Sequence, residues 1–290
     1  MKDIIIDIRK RLDLSQEDLA KLIGISFATV NRWENGHSVP NTAAQLRLYD
    51  ICKDRNIDLE SIILNKIKAA ASDIKSKSGS VILYHGSKSG LKGKIAPLSR
   101  DFCDFGKGFY MGTDPYQPLT LISDYERSKF YVISIDLTGL KVINITPDLE
   151  WAMLVAYNRG KMKDFEGTNL YKHYSELCNG YDVICGCIAD DRMFYVLDSF
   201  FAGNITDKAL VMSLSALKLG QQYVAVNQKS CSRISVEKEI ELSVIERAFL
   251  RDMSEANRAK GISYAKEICR DYRREGKYFD EILKEDEQRG

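Results

Sequence analysis

The chain has 290 residues, of which 44% are hydrophobic and 29% charged, enough for one large domain or two smaller ones with a full core. Lys and Arg number 42 against 41 Asp and Glu, and the resulting net charge of +1 argues against an all-over polyanion binder but leaves room for a local basic face. No stretch reaches the roughly 18 to 20 apolar residues of a membrane span, the N-terminus lacks the apolar core of a signal peptide, and the seven cysteines contain no CxxC pair, so free thiols, no metal site, no membrane contact and a cytoplasmic location are expected.

Residues 1–68 carry helical patterning. Within them LSQEDLAKLIGISFATVNRWENGHSVPN has start and stop signals at close spacing. Ser15 followed by Asp18 is a capping-box-like start, Leu19, Ala20, Leu22 and Ile23 form an apolar face, and Gly24 is a natural helix end. Ser26 can cap a second helix with Val30 and Trp33 inward, which ends at Asn35-Gly36 before Pro40. Helix, tight glycine turn and helix make a helix-turn-helix. The stretch from about residue 2 to 58 resembles the λ-repressor-like DNA-binding family through SQEDLA, GIS and VNRWENG. That resemblance implies that the second helix enters the major groove with Phe27, Ala28, Asn31 and Arg32 at base edges, and that Gln16 and Lys21 lie near phosphate. Such heads commonly act as dimers, so a homodimer is a further expectation.

Residues 69–80, AAASDIKSKSGS, are small, polar and basic and read as a linker. Residues 81–235 are richer in glycine, aromatics and β-branched residues. VILYHG, FYVISIDL, KVINI, YDVICGCIA and QQYVAV read as strands, and LEWAMLVAYNRG and ITDKALVMSLSALKLG as helices. Residues 236–290 are dense in charge of both signs and read as two or three amphipathic helices that pack on the body or on a second chain.

One of only three histidines stands inside the first strand, as Tyr84-His85-Gly86-Ser87. Asp104-Phe105-Gly106-Lys107-Gly108-Phe109-Tyr110 follows, and Gly220-Gln221-Gln222-Tyr223 opens a late strand. In this order the residues resemble the His-Tyr-Glu branch of the ADP-ribosyltransferase superfamily, the branch of diphtheria toxin and the poly(ADP-ribose) polymerases. More narrowly, YHGS and DFGKGFYMGTD resemble a bacterial family of transferase-like domains. The resemblance implies an α+β chain with a small all-α helix-turn-helix head, a split β-sheet domain and a helical C-terminal extension.

The resemblance also implies roles. NAD is cleaved between nicotinamide and ribose through an oxocarbenium-like transition state, which needs positioning and charge stabilisation. His85 would bond a ribose hydroxyl, the Gly86 backbone would approach the carboxamide, and Tyr110 would stack on the nicotinamide ring, with Tyr84, Ser87, Gly108 and Phe109 around them. At the third catalytic position, where the branch has Glu, the nearest match is Gln222, which can bond ribose but can neither carry charge nor act as a base. Asp190 and Asp191, at the end of a strand, are the candidates for the missing carboxylate. The expected function is transfer of ADP-ribose from NAD to a macromolecular acceptor, protein or nucleic acid, in a toxin–antitoxin or phage-defence setting. The alternatives are a DNA-binding transcriptional regulator whose body binds NAD or another nucleotide without chemistry, and an NAD glycohydrolase.

Overall fold

A computed structural model describes residues 1–74, 78–189, 191–216 and 220–289. The head consists of α1 (Lys2–Arg11), α2 (Gln16–Ile23), α3 (Phe27–Glu34), α4 (Thr42–Asp54) and α5 (Leu59–Ser72). Local chemistry sets the boundaries. The Ser15 hydroxyl accepts from the Asp18 N–H at 3.1 Å and the Ser26 hydroxyl from the Thr29 N–H at 3.2 Å, each satisfying an otherwise orphaned donor of a first turn. Gly24 ends α2 at φ +81°, a left-handed conformation that costs glycine little. Ile5, Ile8, Leu19, Val30, Trp33 and Leu48 form the head core. Helix α5 runs to Ser72, into the segment read as linker, because Ile62, Ile63 and Ile67 keep helical spacing on a buried face and Ala69, Ala70 and Ala71 are strong helix formers. Residues 75–77 of that segment lie outside the described residues.

The body is built on strands β1 (Ser80–Ser87), β2 (Phe109–Gly112), β3 (Lys129–Asp136), β4 (Val142–Asn144), β5 (Val183–Cys187), β6 (Gln221–Ala225) and β7 (Ile234–Glu241). They form one sheet in the order β4-β5-β6-β2-β1-β3-β7, antiparallel except for β4 and β5. Strand β1 pairs with β3 along all eight of its residues, whereas β1 and β2 share the single pair Tyr84↔Gly112. The sheet is thus almost divided at that seam. The helices are α6 (Tyr116–Ile122), α7 (Leu149–Asn158), α8 (Asn169–Glu176), α9 (Asp191–Phe201), α10 (Asp207–Ala216), α11 (Gln228–Cys231), α12 (Val244–Asp271) and α13 (Phe279–Arg289). Alternation sends Leu83, Phe109, Met111, Ile133 and Ala225 into a core on one face of the sheet. On the other face Ile184 and Val224 meet Trp151, Phe200 and Leu210, while Phe130 and Val132 meet α5, α6 and α12.

Residues 236–241 are strand, not helix as their charge pattern suggests. VEKEIE completes β7 on the edge of the sheet, where mixed charge is how an exposed strand edge is kept from pairing with other chains. Lys129 on β3 makes ion pairs with Glu239 and Glu241, and Ser134 donates to Glu237 at 2.5 Å.

Helix α12, about 42 Å long at 1.5 Å per residue, joins head and body. It starts with a full capping box between Ser243 and Glu246. Ile245 and Ala248 lie in the head core, Leu250 in the α5–α6 core, and Ala265 and Cys269 in the main body core. Tyr49 and Lys53 donate to Asp252 at 2.8 and 2.7 Å, Lys66 donates to the buried Glu246 at 2.8 Å, and Gln45 accepts from the Val244 N–H at 2.9 Å. The extension therefore completes the cores of both parts of the chain. Among the described residues no helix is long and apolar enough to cross a membrane.

Candidate functional site

In the head, α3 buries Val30 and Trp33 and leaves Phe27, Ala28 and Arg32 exposed. The Arg32 guanidinium has no partner among the described residues. Asn31 and Gln16 are held. Arg9 donates twice to the buried Glu34, at 2.6 and 3.0 Å, Gln16 donates to Glu34 at 2.7 Å, and Asn31 donates to Gln16 at 3.2 Å. Burial opposes ionisation of Glu34, yet the bonds from Arg9 and Gln16 hold its carboxyl below the usual range. This chain of contacts fixes the two amides on the outer side of the helix pair. Lys21 is exposed and pairs with Glu17 at 3.1 Å. If Arg32 makes a bidentate base contact, Arg32→Ala should cost about 1 to 3 kcal/mol of sequence discrimination. Fluorescence anisotropy of the full chain on duplexes from its own upstream region measures this. Unchanged affinity and preference would remove Arg32 from base reading.

In the body, the residues singled out in the sequence gather around the β1–β2 seam. His85 lies one residue beyond the only β1–β2 pair, where the ladder stops. Its Nδ1 meets the Tyr110 carbonyl oxygen at 2.8 Å, so the side chain satisfies an acceptor that the missing ladder leaves open. A carbonyl only accepts, so Nδ1 carries the proton and Nε2 presents a lone pair. Burial pushes the imidazole below the ordinary histidine range, and the bond to Tyr110 only partly offsets this. The ring is therefore neutral at pH 7, and it stacks on Phe109 with centroids 4.3 Å apart. Nε2 has no partner among the described residues.

Tyr110 is pinned by the loop before it. Its hydroxyl accepts from the Phe105 N–H at 3.0 Å and donates to the Gly106 carbonyl at 2.7 Å. Burial raises its phenol well above the usual range. The pair Gly112↔Gln222 places Gln222 diagonally beside Tyr110 on the same face. By strand alternation His85 points to the opposite face, with Leu83 and Phe109. His85 on β1 and Tyr110 on β2 therefore flank the seam from opposite faces, and Gln222 lies one strand further, on β6, on the Tyr110 face.

The glycines have packing reasons. A Cβ on Gly86 would fall 2.5 Å from the Pro118 carbonyl oxygen, so α6 lies directly against β1 there. One on Gly108 would fall 2.3 Å from Val224 Cγ1. Tyr84 stacks on Phe130 with centroids 5.7 Å apart, and burial, aided by Asp114, raises its phenol. Ser87 is half-buried at the end of β1, opposite Lys129.

The third position is built differently from the expectation. Gln222 is 4% exposed, and its Nε2 donates to Asp104 Oδ2 at 2.8 Å and to the Cys187 carbonyl at 3.1 Å. Asp104 is itself buried. It also accepts from the Ala189 N–H at 3.0 Å and from the Arg159 Nε at 2.9 Å and Nη2. Trp151 Nε1 donates to the same Cys187 carbonyl at 3.0 Å. Strand β5 ends at Cys187, so Asp191 opens α9 instead of ending a strand, and Asp190 lies outside the described residues. The carboxylate that sequence reasoning overlooked is Asp104, inside the glycine run already quoted. Nothing in the sequence links it to Arg159, 55 residues later at the end of α7. Of the remaining histidines, His173 lies 3.3 Å from Glu150 on the surface. No group of three or more His, Cys, Asp or Glu among the described residues could hold a metal ion.

No curated protein and no solved structure matches the chain. A family model described as helix-turn-helix matches residues 5–44, which cover α2, the turn and α3, and this supports DNA binding by the head. A second model matches residues 81–235, from the first strand of the body to the start of β7 and over more than half of the chain, and by that match the chain belongs to the family of proteins of unknown function DUF3990.

Proposed function

We propose that the body holds NAD at the β1–β2 seam and that the chain transfers ADP-ribose from it to a macromolecular acceptor. The observation that carries this reading is the state of His85. A neutral imidazole whose Nδ1 proton is fixed on the Tyr110 carbonyl offers Nε2 as an acceptor, which is what a ribose hydroxyl donor requires. Tyr110, pinned at its hydroxyl, offers a ring that need not reorganise on stacking. His85→Ala should weaken NAD binding by about 0.5 to 1.5 kcal/mol, and titration calorimetry reads this directly. Wild-type affinity should hold from pH 8 down to the ordinary histidine range. It should fall below that range, because a protonated Nε2 donates and no longer accepts. Wild-type protein that shows no heat with millimolar NAD, or a His85→Ala variant of unchanged affinity, would refute this assignment.

A second reading is favoured by Gln222. Its amide NH2 is engaged inside the fold and it carries no charge, so the body can bind a nucleotide without cleaving it and serve as the sensing part of a DNA-binding regulator. Labelled NAD incubated with the protein and cell extract distinguishes these possibilities. Label on a macromolecule means transfer, free ADP-ribose means hydrolysis, and binding alone means the regulator.

A further inference from the structure

Gln222 is buried, and its amide orientation is dictated by its neighbours. Asp104 Oδ2 at 2.8 Å and the Cys187 carbonyl at 3.1 Å are both acceptors. The amide turned over would set its oxygen against two oxygens, so the NH2 group must face them and Oε1 must face away. Oε1 has no partner among the described residues. With the NH2 group turned toward Asp104 and Cys187, Oε1 lies on the far side of the amide from both.

We infer that Asp104, held by Arg159 and the Ala189 N–H, is a positioning residue that locks Gln222 with Oε1 outward, which makes the third position an acceptor for a sugar hydroxyl. A glutamate presents acceptors whichever way its carboxylate turns. A glutamine does so in only one of its two orientations, and Asp104, together with the Cys187 carbonyl, selects that one. Arg159 balances the Asp104 charge in the interior, and the Ala189 amide takes a share of the oxygen that Gln222 uses. The lock removes the reorganisation that a free amide would need each time a hydroxyl arrived. The inference rests on the NAD reading for the identity of the sugar, the ribose on the nicotinamide side. The lock itself is a property of the chain alone.

The experiment uses full-length protein and two measurements. Calorimetry compares NAD with its analogue lacking the 2′-hydroxyl of the nicotinamide-side ribose. Wild type should prefer NAD by about tenfold. Asp104→Asn removes the charged acceptor of the Gln222 NH2 and leaves only the Cys187 carbonyl to hold it, so the amide loosens and the preference should fall at least threefold while the melting curve stays cooperative. A preference unchanged in Asp104→Asn, or absent in wild type that does bind NAD, overturns the inference. The second measurement needs no ligand. The Gln222 side-chain amide, identified in nuclear magnetic resonance spectra by its loss in Gln222→Ala, should be strongly protected from hydrogen exchange in wild type. Protection should fall at least tenfold in Asp104→Asn. An unprotected amide in wild type overturns the lock even if NAD binds. A protected amide in a protein that binds no NAD upholds the lock and refutes only the NAD reading.

Discussion

A chain ended at Leu242 is expected to lose the cooperative folding of head and body together. The truncation removes Ile245 and Ala248 from the head core, Leu250 from the core between α5, α6 and the sheet, and Ala265, Cys269 and Phe279 from the main body core. Fully burying one Leu, Ile or Phe is worth about 1.5 to 3 kcal/mol. A handful of them in three cores matches the roughly 5 to 15 kcal/mol that separates a folded domain from its unfolded chain. Polar groups are also stranded, because Gln45 loses its backbone donor at Val244, and Tyr49 and Lys53 lose Asp252. Calorimetric scanning should show no cooperative transition, or one lowered by tens of degrees, and duplex DNA binding should vanish with it. A truncated chain that melts like the full one would show that α12 is an appendage. An isolated head of residues 1–70 would expose the surface that α12 covers, so DNA binding is to be measured on the full chain.

The parts of the fold that are legible in the sequence are those decided within a few residues. Ser15, Gly24 and Ser26 set helix ends through bonds to near neighbours in the chain, and the strands YDVICGCIA and QQYVAV are apolar enough to declare themselves. Strand β2 is not legible, because four residues following two glycines carry too little alternation to read. Strand β7 reads as helix because an edge strand guarded by charge has the composition of a surface helix. At the candidate site, His85, Tyr110 and Gln222 can be singled out by their order along the chain, but their faces cannot. Facing depends on register across β1, β2 and β6, and the single pair Tyr84↔Gly112 sets that register at the seam. Asp104 and Arg159 are invisible for a related reason. Their partnership spans 55 residues and comes about only when the end of α7 packs against the loop before β2.

Gln222→Glu, the substitution that puts the carboxylate expected at this position into place, should destabilise the chain and leave NAD turnover no higher. The new carboxylate would lie about where the amide now donates, 2.8 Å from Asp104 and 3.1 Å from the Cys187 carbonyl. Two carboxylates that close cannot both ionise cheaply, so the pKa of the folded pair rises. Each unit of rise costs about 1.4 kcal/mol once the pH exceeds the folded value. A rise of roughly 2 units, which keeps the folded value below pH 7, therefore lowers stability at pH 7 by about 2 to 3 kcal/mol. The sign follows from proton linkage. The native variant holds a proton that the unfolded chain releases near pH 4.3 (the value for an isolated Glu), so the deficit relative to wild type is least below about pH 4 and grows as the pH rises through the folded value. Urea titrations of wild type and variant at pH 4 and pH 7.5 give the two deficits. Adding Asp104→Asn to Gln222→Glu should recover part of the loss at pH 7.5, since an amide at 104 can donate to the introduced carboxylate, and the recovery is the coupling energy of the pair. A Gln222→Glu variant as stable as wild type at both pH values would mean that the introduced carboxylate has turned away from Asp104. In that case the buried network, and not the amide, has determined which residue this position accepts.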